Sequence, residues 1–152
     1  TLVKTESEVK DGIKLALQYS SKALIEKYIP GRELTVAVLL NEALPVLEIV
    51  PKSGMYDYKH KYTSGMSDYI VPANIPEDVA KKAQQQALTA FNSIGCEGYS
   101  RVDFRMNDKN ELFCLEVNTL PGMTPTSLVP KAAKAVGISF EELINKILQQ
   151  AL

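Results

Sequence analysis

Two short stretches of the 152-residue sequence carry side chains whose types and spacing suit cation binding and carboxylate chemistry. In Gly98–Met106, Arg101, Asp103 and Arg105 fall on one face of an extended segment, and Val102, Phe104 and Met106 fall on the other. In Glu111–Asn118, Cys114, Glu116 and Asn118 share a face opposite Phe113, Leu115 and Val117. Between them, Asn107-Asp108-Lys109-Asn110 is a hairpin turn signal. A turn centred on Lys109-Asn110 sets Asp103 opposite Glu116 and Arg101 opposite Asn118, whereas a turn displaced by one residue sets Asp103 against an apolar neighbour.

Directly opposed carboxylates repel, so a sheet that carries them needs something to offset the repulsion. A divalent cation does this, and Asp, Glu and Asn offer the hard oxygen donors that Mg²⁺ prefers. The pattern alone leaves a second reading open, a solvated face on which Arg101 and Arg105 pair with the acids. Immediately downstream, Thr119–Ser127 is a tight loop that feeds a helix N-terminus, where free backbone N–H groups and the helix dipole attract anions. Gly122 permits close backbone approach there, and Ser127 adds a hydroxyl; a plain turn with an N-cap is the alternative.

The elements that must hold these groups are legible in outline. Glu6–Ser20 has apolar residues at helical spacing (Val9, Ile13, Ala16, Leu17). Three β-branched apolar runs follow, Ala23–Ile29, Glu33–Leu40 and Leu44–Val50, with connections short enough for antiparallel neighbours. Pro51–Ala73 reads as a long loop with one strand at Asp68–Val71, and loops of that length in a compact domain are usually functional. Ile75–Ser93 is a helix opened by Pro76, Glu77 and Asp78 and closed by Gly95. The C-terminal part gives two helices, Ser127–Val136 and Ser139–Leu152, the second with a Ser139/Glu142 capping box. Together these predict an α+β fold, a largely antiparallel sheet with helices packed on one face, over a single domain spanning 1–152.

Composition narrows the function. At 45% hydrophobic and 23% charged, with a net charge of −1, the chain is of globular type with no excess charge to recommend nucleic acid or an anionic membrane as partner. No apolar run approaches the roughly 18 residues of a membrane span, and the start has no signal-peptide pattern. Cys96 and Cys114 form no CxxC pair and read as buried free thiols, consistent with a cytoplasmic location.

The segment Glu116-Val-Asn-Thr-Leu-Pro-Gly-Met-Thr-Pro-Thr-Ser-Leu-Val-Pro130 closely resembles a signature of the D-alanine–D-alanine ligases, members of the ATP-grasp superfamily. Leu24–Glu33, Tyr56–Tyr62 and Gly98–Asp103 agree with the same family in order and spacing, so the resemblance covers the whole chain. It implies an ATP-grasp C-terminal domain and ATP-dependent joining of two D-alanines through an acylphosphate, for peptidoglycan synthesis. Asp103, Glu116 and Asn118 match the ligands of two Mg²⁺ ions, for which Mn²⁺ is a possible substitute. Arg101 and the Gly122 N–H match the groups that stabilise the tetrahedral intermediate. Ser127 and Leu128 match the site of the second D-alanine's carboxylate.

The resemblance further places adenine against Glu26, Lys27, Tyr28 and Ile29, and the ribose on Glu33. Lys61 matches a phosphate-contacting lysine and Tyr62 a tyrosine that closes over the site; tyrosine there favours the dipeptide over a D-lactate product. His60, the only histidine, reads as an exposed loop residue. The family's N-terminal domain and Gly/Ser-rich phosphate loop have no counterpart in these residues, so the chain is expected to be a C-terminal half, inactive alone, of a homodimeric enzyme. Another ATP-grasp carboxylate–amine ligase, or a non-catalytic nucleotide- or Mg²⁺-binding module, are the alternatives.

Overall fold

The run Arg32–Leu39 has apolar side chains on both of its faces and therefore belongs in the middle of a sheet. In the computed structural model, which describes residues 1–52, 67–150 and 152, it is the central strand. The strands are β1 (Arg32–Leu39), β2 (Glu42–Ala43), β3 (Leu47–Pro51), β4 (Ser67–Ile70), β5 (Tyr99–Met106) and β6 (Leu112–Asn118). They form one antiparallel sheet in the order β4-β3-β1-β5-β6, with β2 folded back on β1. The helices are α1 (Glu6–Ala16), α2 (Glu77–Ser93), α3 (Leu128–Ala135) and α4 (Phe140–Gln150).

The antiparallel sheet is as expected, but the helices do not all take the same face. Leu34, Val36 and Val38 of β1, with Val102, Phe104 and Met106 of β5, pack against Val79, Ala83, Ala87 and Phe91 of α2. On the reverse face, Ala37 and Leu39 meet Val129, Ala132 and Ala133 of α3 and Leu143 of α4. Small residues at Ala37, Ala132 and Ala133 let α3 lie close to that end of the sheet, and the rest of the face carries the polar rows described below. Each fully buried Leu, Val or Phe contributes about 1.5–3 kcal/mol by leaving water. At α4 one half of the expected capping box is present, with the Glu142 N–H donating to Ser139 Oγ at 3.1 Å.

Three expectations are corrected. Ala23–Ile29 has no regular secondary structure and joins no strand among the described residues; Leu24 and Ile25 lie outward, Leu24 being 83% exposed, while Ala23 and Ile29 are half-buried. Its β-branched composition reports a preference for extended backbone, which needs a neighbouring strand before it becomes sheet. The cysteines are free, but neither is buried: Cys96 is half-buried and Cys114 exposed. Phe113 and Leu115 do not face the core, for a reason that lies in the hairpin register.

At Gly31 the chain enters β1 with φ +129°, and a Cβ there would stand 2.1 Å from the Met106 carbonyl oxygen. Only glycine fits that close approach.

Candidate active site

Cross-strand pairing builds the site as rows on the sheet face away from α2. One row is Thr35–Asp103–Glu116, across β1, β5 and β6. The neighbouring row is Ala37–Arg101–Asn118, and on the other side Glu33 pairs with Arg105. The opposition of Asp103 to Glu116 and of Arg101 to Asn118 is thus as the alternation required.

The route to that register differs from the expected one. Next to the turn, Met106 faces Leu112, Arg105 faces Phe113 and Phe104 faces Cys114, a register that, continued, would set Asp103 against Leu115. The register shifts between Asp103 and Phe104, leaving Leu115 unpaired as a β-bulge, and Glu116 comes opposite Asp103. The shift explains the exposure of Phe113 (36%) and Leu115 (47%), because Leu112 and Val117, an odd number of residues apart, are the ones that pack on the core. Cys114 thereby shares a face with Phe104. Although the residue is exposed, partial desolvation by its neighbours raises its thiol pKa, and the Asp103 carboxylate pushes in the same direction.

Asp103 is buried and its carboxylate is fully engaged. Arg101 grips it with both arms of the guanidinium, Nε to Oδ1 at 2.9 Å and Nη2 to Oδ2 at 2.8 Å. Thr35 Oγ1 donates to Oδ1 at 2.6 Å, and Asn118 Nδ2 donates to Oδ2 at 3.1 Å. The same Asn118 nitrogen lies 3.3 Å from Glu116 Oε1. Two carboxylate oxygens from opposed strands are therefore within reach of a single small donor between them. The oxygen-rich donor set of Asp103, Glu116 and Asn118 is chemically suited to a hard cation. Among the described residues no group of three His, Cys, Asp or Glu side chains is placed to hold a metal.

Glu33 connects this centre to the segment before β1. Arg105 Nη1 bonds Glu33 Oε2 at 3.2 Å, and the same guanidinium donates to the Ile29 carbonyl at 3.0 Å and the Gly31 carbonyl at 2.9 Å. Its carbon lies 5.7 Å from the centre of the Tyr28 ring. Glu26, Lys27, Tyr28 and Ile29 thus lead into Glu33 through an irregular length of chain. Glu26 and Lys27 are exposed on it.

Beyond β6, the Gly122–Ser127 loop closes on itself. The Thr124 N–H donates to Ser127 Oγ at 3.1 Å, the two hydroxyls are 2.9 Å apart, and a Cβ on Gly122 would lie 3.1 Å from Ser127 Oγ. Ser127 is the N-cap of α3, and Leu128 opens that helix. One turn on, Lys131 donates to the Thr126 carbonyl and sits 4.9 Å above the Tyr69 ring, tying the loop to β4. Lys61 and Tyr62, like His60, lie outside the described residues.

Two contributors were missed by the sequence reading. Thr35 was visible as the one hydroxyl in Leu34-Thr35-Val36-Ala37-Val38, an anomaly in an otherwise apolar strand. Arg105 was seen, but only as an ion-pair partner; its bonds to two carbonyls some seventy positions away carry no local signal.

Comparison with known proteins agrees with these motifs. Residues 1–149 match the family model described as "D-ala D-ala ligase C-terminus". The D-alanine–D-alanine ligase of Halalkalibacterium halodurans is 50% identical, with all of this chain aligned to 52% of the relative. That of Syntrophotalea carbinolica is 47% identical over 99% of this chain and 49% of the relative. The chain spans about half the length of the curated relatives it matches. Among solved structures, the Bacillus anthracis D-alanine–D-alanine ligase complexed with ATP superposes with a TM-score of 0.83 at 28% identity, over 98% of this chain and 47% of that one. The VanG D-Ala:D-Ser ligase of Enterococcus faecalis gives 0.83 at 34% identity, over 97% and 44%. With the opposed acids on β5 and β6, the loop of Gly122 and Ser127 following β6 and a match along nearly its whole length, the chain belongs to the D-alanine–D-alanine ligase family, in its C-terminal part.

Proposed function

We propose that the full-length polypeptide joins two molecules of D-alanine at the expense of ATP, in the cytoplasm and as a homodimer, for peptidoglycan synthesis, and that residues 1–152 supply one side of its active site as a single domain. The γ-phosphoryl group of ATP passes to the carboxylate of the first D-alanine, giving an acylphosphate and ADP. The amine of the second then attacks the acyl carbon, phosphate leaves, and a proton is lost from the new amide nitrogen. The observation that carries this reading is the opposition of Asp103 to Glu116, with Asn118 between them and Arg101 alongside.

Asp103, Glu116 and Asn118 hold Mg²⁺, which when bound neutralises the phosphate charge. Arg101 lies beside the acids on the same sheet face, where with the Gly122 N–H it stabilises the oxyanion that forms at the attacked carbon. The Ser127 hydroxyl and the Leu128 N–H, at the start of α3, receive the carboxylate of the second D-alanine. The backbone of Glu26–Ile29 lines the adenine and Glu33 accepts from the ribose hydroxyls. Lys61 contacts phosphate, and Tyr62 closes over the site to keep water from the acylphosphate. The isolated chain, which matches half of its relatives' length, does not ligate.

Phosphate release by the full-length protein with ATP, Mg²⁺ and D-alanine, run beside L-alanine, D-lactate and D-serine, is the test. Release that depends on D-alanine and is second order in it at low concentration supports the dipeptide. The likeness to a D-Ala:D-Ser ligase favours one second reading, in which D-serine is the better second substrate, and the D-serine arm separates the two. Release with no D-amino acid as substrate overturns both, in favour of another carboxylate–amine ligase.

A further inference from the structure

The segment leading into β1 is irregular and mostly exposed, it lies in no sheet among the described residues, and residues 23–30 make no backbone–backbone hydrogen bond among them. A chain of that kind loses conformational entropy on ordering, at a cost of about 1–2 kcal/mol per residue, and among the described residues no ladder offsets it. One side chain from β5 reaches across to it. The Arg105 guanidinium uses Nε on the Ile29 carbonyl, Nη2 on the Gly31 carbonyl and Nη1 on Glu33, and it faces the Tyr28 ring. The planar fork gives donors in three fixed directions, which a lysine ammonium cannot reproduce. The Arg105 and Glu33 side chains are both mostly buried, so their charge-assisted bond is little screened by water.

We propose that Arg105 is the positioning residue of the nucleotide edge: its three-way grip on Ile29, Gly31 and Glu33 holds an unpaired length of chain in the line from which base and ribose are bound. The assignment rests on the reading of Glu26–Ile29 and Glu33 as ATP contacts. Arg105 itself touches no substrate; it acts by fixing two carbonyls and orienting one carboxylate. Deleting the guanidinium therefore loosens the edge before any ligand is present, and weakens ATP more than it weakens D-alanine.

The test uses the full-length protein, with Arg105→Met and Arg105→Lys beside the wild type. The first readout is titration with ATP, and the second is hydrogen exchange without nucleotide. The expected result is about tenfold weaker ATP binding by Arg105→Met, roughly the effect of one charged hydrogen bond. Arg105→Lys should fall between, KM for ATP should rise more than KM for D-alanine, and faster exchange should be confined to residues around 24–33. Wild-type affinity and wild-type exchange in both variants overturn the assignment and leave the ATP reading standing. Failure of the wild type itself to bind ATP overturns the nucleotide reading and this assignment with it. Should Arg105→Met fail to fold, Arg105→Lys decides: affinity and exchange equal to wild type count against the three-way grip.

Discussion

Thr35 Oγ1 lies 2.6 Å from Asp103 Oδ1, across directly paired positions of β1 and β5, with both side chains buried. The hydroxyl comes from the centre of an apolar strand and cannot move away, so it fixes which oxygen of Asp103 turns toward Glu116. Thr35→Val keeps the shape and removes the donor. Mn²⁺ affinity of the full-length protein, followed by electron paramagnetic resonance in the presence of nucleotide, should fall about tenfold, and Thr35→Ser should restore it. Equal affinity in all three proteins would show that Arg101 and Asn118 orient Asp103 unaided.

Asp103→Ala removes a carboxylate from the opposed pair and leaves Arg101 without its bidentate partner. Turnover by the full-length enzyme should be lost while the circular dichroism spectrum persists. Turnover near the wild-type rate would sink the metal assignment.

Gly31 admits no side chain. Gly31→Ala places a Cβ against the Met106 carbonyl at a separation that neither backbone can accept. Urea denaturation should show a loss of about 2–3 kcal/mol, with strain at φ +129° adding to the clash.

The bulge predicts a contrast between two leucines three residues apart. Leu112 packs on the core facing α2, whereas Leu115 is the unpaired, outward residue. Leu112→Ala should cost about 2 kcal/mol and Leu115→Ala less than about 0.5 kcal/mol. Equal costs in thermal unfolding would contradict the register.

Arg32 and Glu48 form a second bidentate pair, with Nε to Oε1 at 2.7 Å and Nη2 to Oε2 at 2.6 Å, and Arg32 also holds the Asn74 carbonyl at 2.9 Å. Hydrogen bonding to Glu48 raises the Arg32 pKa, so the guanidinium stays charged throughout the accessible pH range. Glu48 is buried, and Arg32→Ala would leave its carboxylate without this partner, at a cost of about 2 kcal/mol in urea denaturation after allowance for the partial exposure of Arg32.

The strands and helices were legible where pattern and burial coincide. Val79, Ala83, Ala87 and Phe91 repeat at helical spacing and form the buried face of α2, and the alternation of β5 placed Arg101, Asp103 and Arg105 correctly on one face. The alternation of β6 misled, because a bulge changes the phase of the pattern without any change of composition. Ala23–Ile29 misled for a different reason, since its residue types report backbone preference and cannot report whether a strand lies alongside. Opposition of Asp103 to Glu116 was foreseen by counting from the turn, yet the turn and the bulge each depart from the count by one residue, and the departures cancel. Thr35 and the reach of Arg105 depend on contacts distant in sequence, which no local pattern encodes.

The unpaired Leu115 has a consequence for how the two acids meet. If Leu115 were deleted, the register set at the turn would run straight through, and Glu116 would still come opposite Asp103. With Leu115 present, the register set at the turn would put Leu115 against Asp103, so it is the bulge that brings Glu116 opposite Asp103. A bulge also increases the local right-handed twist of the strand that carries it. Turn and bulge choose the partners together.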